Sequence, residues 1–303
     1  MGKIVLVSAR ASVANDHDMP LLLEACTRAR FDVEICFWDD PEVDWSTYDA
    51  AVLRSPWDYS ERLPEFLQWC TATSQKTNLQ NPLPAVRWSL DKHYLKDLAD
   101  LGVPVVPSSF IQANGRPRAE FNAFLDANSE FDDFVIKPTI GCYSKGVQRF
   151  SRRQVDLAED HLASLFAEGA TAIVQPYLPV IEREGETNLI YFNGVYSHAI
   201  RKGALLDPDG TVNVPTNDFR AARDASAEER AVAELALKAA SIKLGLHHPL
   251  LYARIDLLPS NDNNPLLLEM EIAEPSLSLQ FTESGASRFT EAITDLVLLE
   301  QGA

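Results

Sequence analysis

The chain opens on a nearly unbroken apolar run, "KIVLVSA", of the kind a parallel strand covered on both faces requires. "MPLLLEACTRARF" repeats its apolar positions at helical spacing, and "DVEICFW" and "DAAVLRS" read as two further strands. Strand, helix and strand in this order predict an open α/β lobe. Ligands of such lobes bind beyond the carboxyl ends of the strands, where Arg10 and the segment "RSPWDYS" (Arg54 to Ser60) fall. Two readings of that segment stand level. Arg54 and Asp58 pair with each other while Trp57 packs a loop, or the segment touches substrate.

A Pro-rich connector, "NLQNPLPAVRW", marks a boundary. After it, Ser89 is the expected N-cap of a helix over "SLDKHYLKDLADLGVP", ended by Gly102 and Pro104. The strand "VVPSSFI", the helix "RAEFNAFLDAN", the strands "FDDFVIKP" and "VQRF", the helix "AEDHLASLFAEG" and the strand "TAIVQPYL" make a second, smaller lobe. The third part begins with "TNLIYFNG" and "VYSHAIRKG", which Asn193-Gly194 joins as a hairpin. A looser polar segment over 204–226, a long amphipathic helix, the strands "LLYARIDLLP" and "PLLLEMEIAEP" and a last helix, "RFTEAITDLVLLE", complete it. The expected division is 1–88, 89–178 and 179–303.

Charge narrows the partners. The 303 residues carry 44 acidic and 27 basic side chains, a formal net charge of −17. That balance disfavours sequence-independent contact with nucleic acid or an anionic membrane. No apolar stretch reaches membrane-span length, and the N-terminal run is too short for a signal peptide. The four cysteines, Cys26, Cys36, Cys70 and Cys142, show neither metal-ligand nor redox-pair spacing and read as reduced core residues. A soluble cytoplasmic protein is expected, with a homo-oligomer allowed but not specified.

Three stretches carry candidate chemistry. In "FVIKPTIGCYSKGVQR" a strand ends at Lys137, and Gly141 and Gly146 bracket the loop that follows. Glycines let backbone N–H groups approach an anion, and Lys137 adds a compact cation. The Walker ending is missing, and such a hairpin alone is more often structural. In "ARIDLL…PLLLEMEI" Arg254 and Asp256 share one strand face, as do Glu269 and Glu271 on the next. Carboxylates are costly inside apolar strands, and ligation of a hard cation such as Mg²⁺ offsets that cost. This is favoured over a solvated face with salt bridges. In "TAIVQPYL" the Pro ends a ladder, freeing backbone groups near Gln175 and Leu178 for a planar base. Out of context it is a loop.

Taken in order, these elements resemble the ATP-grasp superfamily, in which a central and a C-terminal lobe grip ATP behind an N-terminal α/β lobe. The resemblance spans roughly residues 89 to 275. It implies an α/β fold of three lobes, the first an open α/β lobe and the other two α+β. It also implies Lys92 (on a helix) and Lys137 on the ATP phosphates, with Ser144 and the loop backbone covering them. Gln175, Tyr177 and Leu178 would frame adenine. Glu186 would hold the ribose, with Glu182 and Glu184 as close competitors. Asp256, Glu269 and Glu271 would hold two Mg²⁺ ions. Arg254 would stabilise the transferring phosphoryl group, and Arg201 would contact substrate or the acyl phosphate. Glu271 stands where many relatives carry Asn. Asn188 stands where glutathione synthetases carry Arg. "ARASVANDHDMPLL", "FWDDPEVDW" and "RSPWDYS" are similar to the group that contains the cycloserine-pathway cyclo-ligase. That likeness implies a small amino-acid substrate, O-ureido-D-serine, whose carboxylate is phosphorylated and then attacked by its own ureido nitrogen. The alternatives are an intermolecular ligase, like glutathione synthetase or D-Ala-D-Ala ligase, and a non-catalytic ATP-binding regulator.

Overall fold

The computed structural model describes residues 2–208, 210–213 and 219–301. Its first sheet is built from β1 (Lys3–Ser8), β2 (Asp32–Phe37), β3 (Ala50–Ser55) and β4 (Asn78–Gln80), all parallel, in the order β2-β1-β3-β4. Helices α1 (Met19–Arg28) and α2 (Leu63–Thr73) provide crossovers. Ile4, Val5, Leu6 and Val7 are fully buried, which explains the unbroken apolar run of β1. Because the chain steps from β1 to β2 on one side and to β3 on the other, the sheet has its switch point between β1 and β3. There the Ser8 and Ser55 hydroxyls meet at 2.8 Å.

The connector expected at 78–88 is itself structured. It holds β4 and α3 (Leu83–Ser89), and Ser89 ends that helix rather than capping the next. Its hydroxyl turns back to the Val86 carbonyl at 3.3 Å. Asp91 supplies the acceptor before α4 (Tyr94–Asp100), taking the His93 N–H at 3.1 Å. Lys92 therefore sits in the turn between two short helices, not on a helix. Pro84 near the start of α3 pre-sets helical φ one turn earlier than the pattern suggested.

The second sheet, in the order β5-β8-β6-β7, comprises β5 (Ser109–Ile111), β6 (Asp133–Pro138), β7 (Gln148–Ser151) and β8 (Ala172–Pro176). Its apolar face packs on α5 (Pro117–Ala127) and α6 (Val155–Ala167) through Phe121, Phe134, Phe150 and Leu162. After the four-residue α7 (Ile181–Glu184) comes the third sheet, β11-β10-β9-β12-β13. Its strands are β9 (Glu186–Phe192), β10 (Val195–Lys202), β11 (Arg220–Arg223), β12 (Tyr252–Pro259) and β13 (Pro265–Glu271). The hairpin turn between β9 and β10 has Asn193 and Gly194 at φ 47° and 74°, the left-handed pair this turn needs. The polar segment over 204–226 contributes the edge strand β11, which its lack of alternation concealed; positions 209 and 214–218 lie outside the described residues. Helix α8 (Ala227–Leu244) covers one face of the sheet with Ala233, Ala236 and Ala240, and α9 (Gly285–Gln301) packs near β9 and α1.

The first and third sheets are joined by buried polar contacts. Asn81 donates to the carbonyls of Tyr252 (2.8 Å) and Ile272 (2.6 Å) and accepts from the Leu251 N–H (2.8 Å). The Tyr252 hydroxyl lies 3.0 Å from the carbonyls of Leu53 and Gln80. Arg54 is fully buried; it lies 3.6 Å from Asp18 and donates to the Pro275 carbonyl at 3.1 Å. Asp18 accepts from the N–H groups of Leu277, Ser278 and Leu279 at 2.6, 3.2 and 2.7 Å. The Arg54–Asp58 pair, one of the two readings of that segment, does not form. Asp58 instead accepts from Trp38 Nε1 at 2.8 Å, and Arg10 turns outward to Asp40 at 2.9 Å.

Candidate active site

A cleft of about 780 Å³ lies where the three sheets meet. Its floor is the third sheet, and strand register explains the floor's charge pattern. Lys202 on β10 stands between Glu186 on β9 and Arg220 on β11. Asp256 on β12 stands between Asn188 on β9 and Glu269 on β13, and Arg254 is opposite Glu271. Period-two alternation thus gathers residues from five strands on one face.

These charges are largely matched. Lys202 holds Glu186 at 2.8 Å, and Asn188 donates to the same carboxylate at 2.6 Å. Lys92 holds Glu269 at 3.0 Å. Arg254 donates to both Asp256 oxygens at 2.8 Å and also to Glu271. Burial by itself would raise the Glu269 carboxyl, but Lys92 and then Lys137 outweigh it and hold it at about 2. Burial pushes Glu271 the other way, up to about 8; Arg254 opposes the rise, and Asp256, Glu269 and Glu274 add to it. Lys137, at the end of β6, has no ion-pair partner among the described residues, and burial lowers its pKa.

Among the described residues, no three His, Cys, Asp or Glu side chains close on one point as a ready-made metal cage. Arg254 lies between Asp256 and Glu271, and Lys92 occupies Glu269. The donor set is nonetheless of the right kind for Mg²⁺. That ion favours oxygen ligands, keeps several waters, and takes one or two carboxylates together with substrate phosphates rather than an all-protein cage.

The roof is the loop after β6. Tyr143 and Ser144 take positive φ, 53° and 55°, so the glycine-bounded turn forces two non-glycine residues into the left-handed region. It is docked on the first lobe: Cys142 Sγ donates to the Trp57 carbonyl (3.0 Å), Tyr143 meets the Trp57 ring edge-on at 5.1 Å, and Lys145 pairs with Glu61 at 2.7 Å. Lys145 is therefore committed to Glu61. Ser144 lines the cleft. At the back, β8 ends at Pro176. The Gln175 side chain donates to Ser108 Oγ at 2.8 Å. Tyr177 lies under the Arg149 guanidinium at 3.6 Å, and Leu178 is buried beside it. Of the three ribose candidates Glu186 alone lines the cleft. Glu182 pairs with Arg149, and Glu184 with Arg183.

Arg201 is a correction. It is one residue out of phase with Lys202, so it faces away from the cleft and donates to the carbonyls of Glu184 (2.7 Å) and Arg183 (2.9 Å). Lys202 and Arg220 line the cleft instead, together with Asn15, His17, Trp57, Tyr59 and Glu274. The signal for Lys202 was present in "HAIRKG", but only the register with Glu186 separates the two cations. Asn15, His17, Trp57 and Tyr59 come from the loops after β1 and β3, at the switch point.

Three sheets gripping one cleft, with a Gly-rich roof over a carboxylate floor, define an ATP-grasp ligase. The D-alanine–D-alanine ligase of Bacillus anthracis, solved in complex with ATP, has the same fold, with a TM-score of 0.68 at 14% identity over 100% of this chain and 99% of that one. Residues 4–81 match the family described as D-cycloserine synthetase DcsG, N-terminal domain. The chain is 50% identical over 295 residues to the cycloserine biosynthesis protein DcsG of Streptomyces lavendulae, covering 97% of this chain and 99% of that protein. The crystal structure of D-cycloserine synthetase DcsG superposes with a TM-score of 0.94 at 50% identity over 98% of this chain and 100% of that one. The chain belongs to the DcsG family of ATP-dependent ligases.

Proposed function

We propose that this protein uses ATP to close O-ureido-D-serine into the isoxazolidinone ring of D-cycloserine. The observation that carries the reading is the cleft itself, where Lys137 and the glycine-bounded loop face the row of Asp256, Glu269 and Glu271. The lobes 1–88, 89–178 and 179–303 are its functional division. Lys137 and Lys92 would hold the ATP phosphates, with Ser144 and its loop above them. The Gln175 backbone, Tyr177 and Leu178 would frame adenine, and Glu186 the ribose. Asp256, Glu269 and Glu271 would hold two Mg²⁺ ions, whose chemistry when bound is neutralisation of phosphate charge.

Arg254 stands beside these carboxylates and would stabilise the γ-phosphoryl group as it moves to the substrate carboxylate. The acyl phosphate is then attacked by the tethered ureido nitrogen. The C–N bond forms, the C–O bond to phosphate breaks, and inorganic phosphate departs. Hydrolysis of the carbamoyl group afterwards releases CO2 and ammonia. A tethered nucleophile needs only orientation, which a closed cleft supplies. All four cysteines are free thiols, which suits a reducing, cytoplasmic setting.

The reading is tested by phosphate release with O-ureido-D-serine and ATP, with mass analysis of the product. Release coupled to cyclised product supports it. Joining of two separate amino acids would move the protein to the intermolecular ligases, and no release with any amino acid would make it a binding protein. Glu269→Gln is expected to lower turnover by about 10²–10³-fold, the scale of removing one electrostatic group from an active site. A circular-dichroism melt should show the fold retained. Near-normal turnover would remove Glu269 from the metal site.

A further inference from the structure

The charged side chains of the cleft divide unevenly. Glu186, Glu269, Asp256 and Glu271 each have a cation bonded to them, namely Lys202, Lys92 and Arg254. Two cleft-lining cations, Lys137 and Arg220, have no bonded anion among the described residues, and Arg220 Nε is buried without any hydrogen-bond partner. One cleft-lining carboxylate, Glu274, has no bonded cation among the described residues. Unpaired cations suit the phosphates and carboxylate that the ligase reading brings in. A lone unpaired carboxylate asks for the opposite, a ligand with a positive charge.

Glu274 is also held in place. It follows β13, where Trp57 Nε1 donates to its backbone carbonyl at 3.0 Å. The next residues are anchored by Arg54 on the Pro275 carbonyl and by Arg254 on the Ser276 carbonyl at 3.3 Å. The buried Tyr59 hydroxyl faces its carboxyl. Trp57 and Tyr59 follow β3 at the switch point of the first sheet, so the carboxylate sits on the seam between the first and third sheets. Its backbone is fixed from three sides while its carboxyl faces a neutral hydroxyl and bonds no cation among the described residues, an arrangement suited to receiving a ligand group rather than to folding.

We propose that Glu274 receives the α-ammonium group of the amino-acid substrate. This rests on the amino-acid ligase reading above and adds the residue that recognises the amino end. The site would thereby distinguish an amino acid from a simple carboxylic acid, since a substrate lacking the ammonium leaves the carboxylate desolvated and unpaired.

The test uses the full chain, ATP, and two compounds: O-ureido-D-serine and 3-(ureidooxy)propanoate, the same molecule without its amino group. In the wild type the second should have a KM higher by about 10- to 100-fold, the scale of a charge-assisted hydrogen bond. Glu274→Gln should raise the KM for O-ureido-D-serine by a similar factor, treat the two compounds alike, and leave the calorimetric ATP Kd unchanged. Glu274→Asp should recover part of the preference. A Gln variant with the wild-type KM, with the wild-type preference, or with weakened ATP binding overturns the assignment. Should Glu274→Gln fail to fold, the wild type still decides: equal KM for the two compounds overturns the assignment, and a strong preference supports it. A wild type that releases no phosphate with O-ureido-D-serine overturns the cyclo-ligase reading, and the ammonium assignment falls with it.

Discussion

Lys137→Met is expected to weaken ATP binding while making the ligand-free protein more stable. Lys137 is 7% exposed and has no ion-pair partner among the described residues, and burial of its charge outweighs the attraction of the nearby Glu269. Methionine keeps the stem and removes the charge. A gain of about 1–3 kcal/mol in unfolding free energy is the expected scale for relieving one buried polar group. The ATP Kd should rise by about 10- to 100-fold, because a charge-assisted contact to phosphate is lost. The sign with pH follows from the lowered pKa. The folded state disfavours the protonated amine, so the wild type gains stability as pH rises from the depressed value toward the ordinary lysine range. The advantage of Lys137→Met should shrink over the same window. Denaturant melts at several pH values and calorimetry with ATP check both halves. Unchanged ATP affinity would make the loop after β6 a purely structural hairpin.

Arg254→Met should be the most damaging single change in the cleft. Among the described residues Arg254 is the one cation bonded to both Asp256 and Glu271, and Asp256 is 2% exposed. Without it, two carboxylates remain side by side in a site that hydrates them poorly. Breaking a buried pair from one side costs about 3–5 kcal/mol. Turnover should also fall by about 10³-fold or more, the scale for losing an arginine that stabilises phosphoryl transfer. The double variant Arg254→Met/Glu271→Gln should recover part of the stability and none of the turnover. If it recovered both, Arg254 would be a structural counter-ion only. Melting curves and single-turnover phosphate release separate the two effects.

Much of this cleft was legible in one dimension. The Arg254–Asp256 and Glu269–Glu271 pairs announced themselves by charge placed inside apolar strands, whereas Lys137 with its glycine-bounded loop read alone as a structural hairpin and drew its proposed role from the resemblance. Covalent spacing fixes which of these share a strand face. Of the Arg54–Ser60 segment, Trp57 to Ser60 lie beyond the strand end as expected, while Arg54 and Ser55 belong to β3 itself, and the expected side-chain partners did not meet. Arg54 left Asp58 for Asp18 and the Pro275 carbonyl, partners distant in sequence, and Asp18 is itself held by the backbone N–H groups of Leu277, Ser278 and Leu279. Ser89 failed as a cap for a local reason, as the Pro-rich stretch before it formed its own short helix.

What the sequence determined by itself is most of the order of strands and helices and which charged side chains share a strand face. These follow from periodicity and from short-range spacing, whereas the phosphate and metal roles proposed for those side chains are what the resemblance to the ATP-grasp superfamily implies. What only the tertiary structure decided is which charges are already matched. Arg201 and Lys202 are neighbours in the chain, yet register turned one toward the Glu184 backbone and the other toward Glu186. Lys92 met Glu269 across 177 positions, and Glu274 was left with no cation bonded to it among the described residues. Pairing depends on which strands become neighbours and in what register. That choice is made by burial summed over the whole core, so no local pattern can carry it.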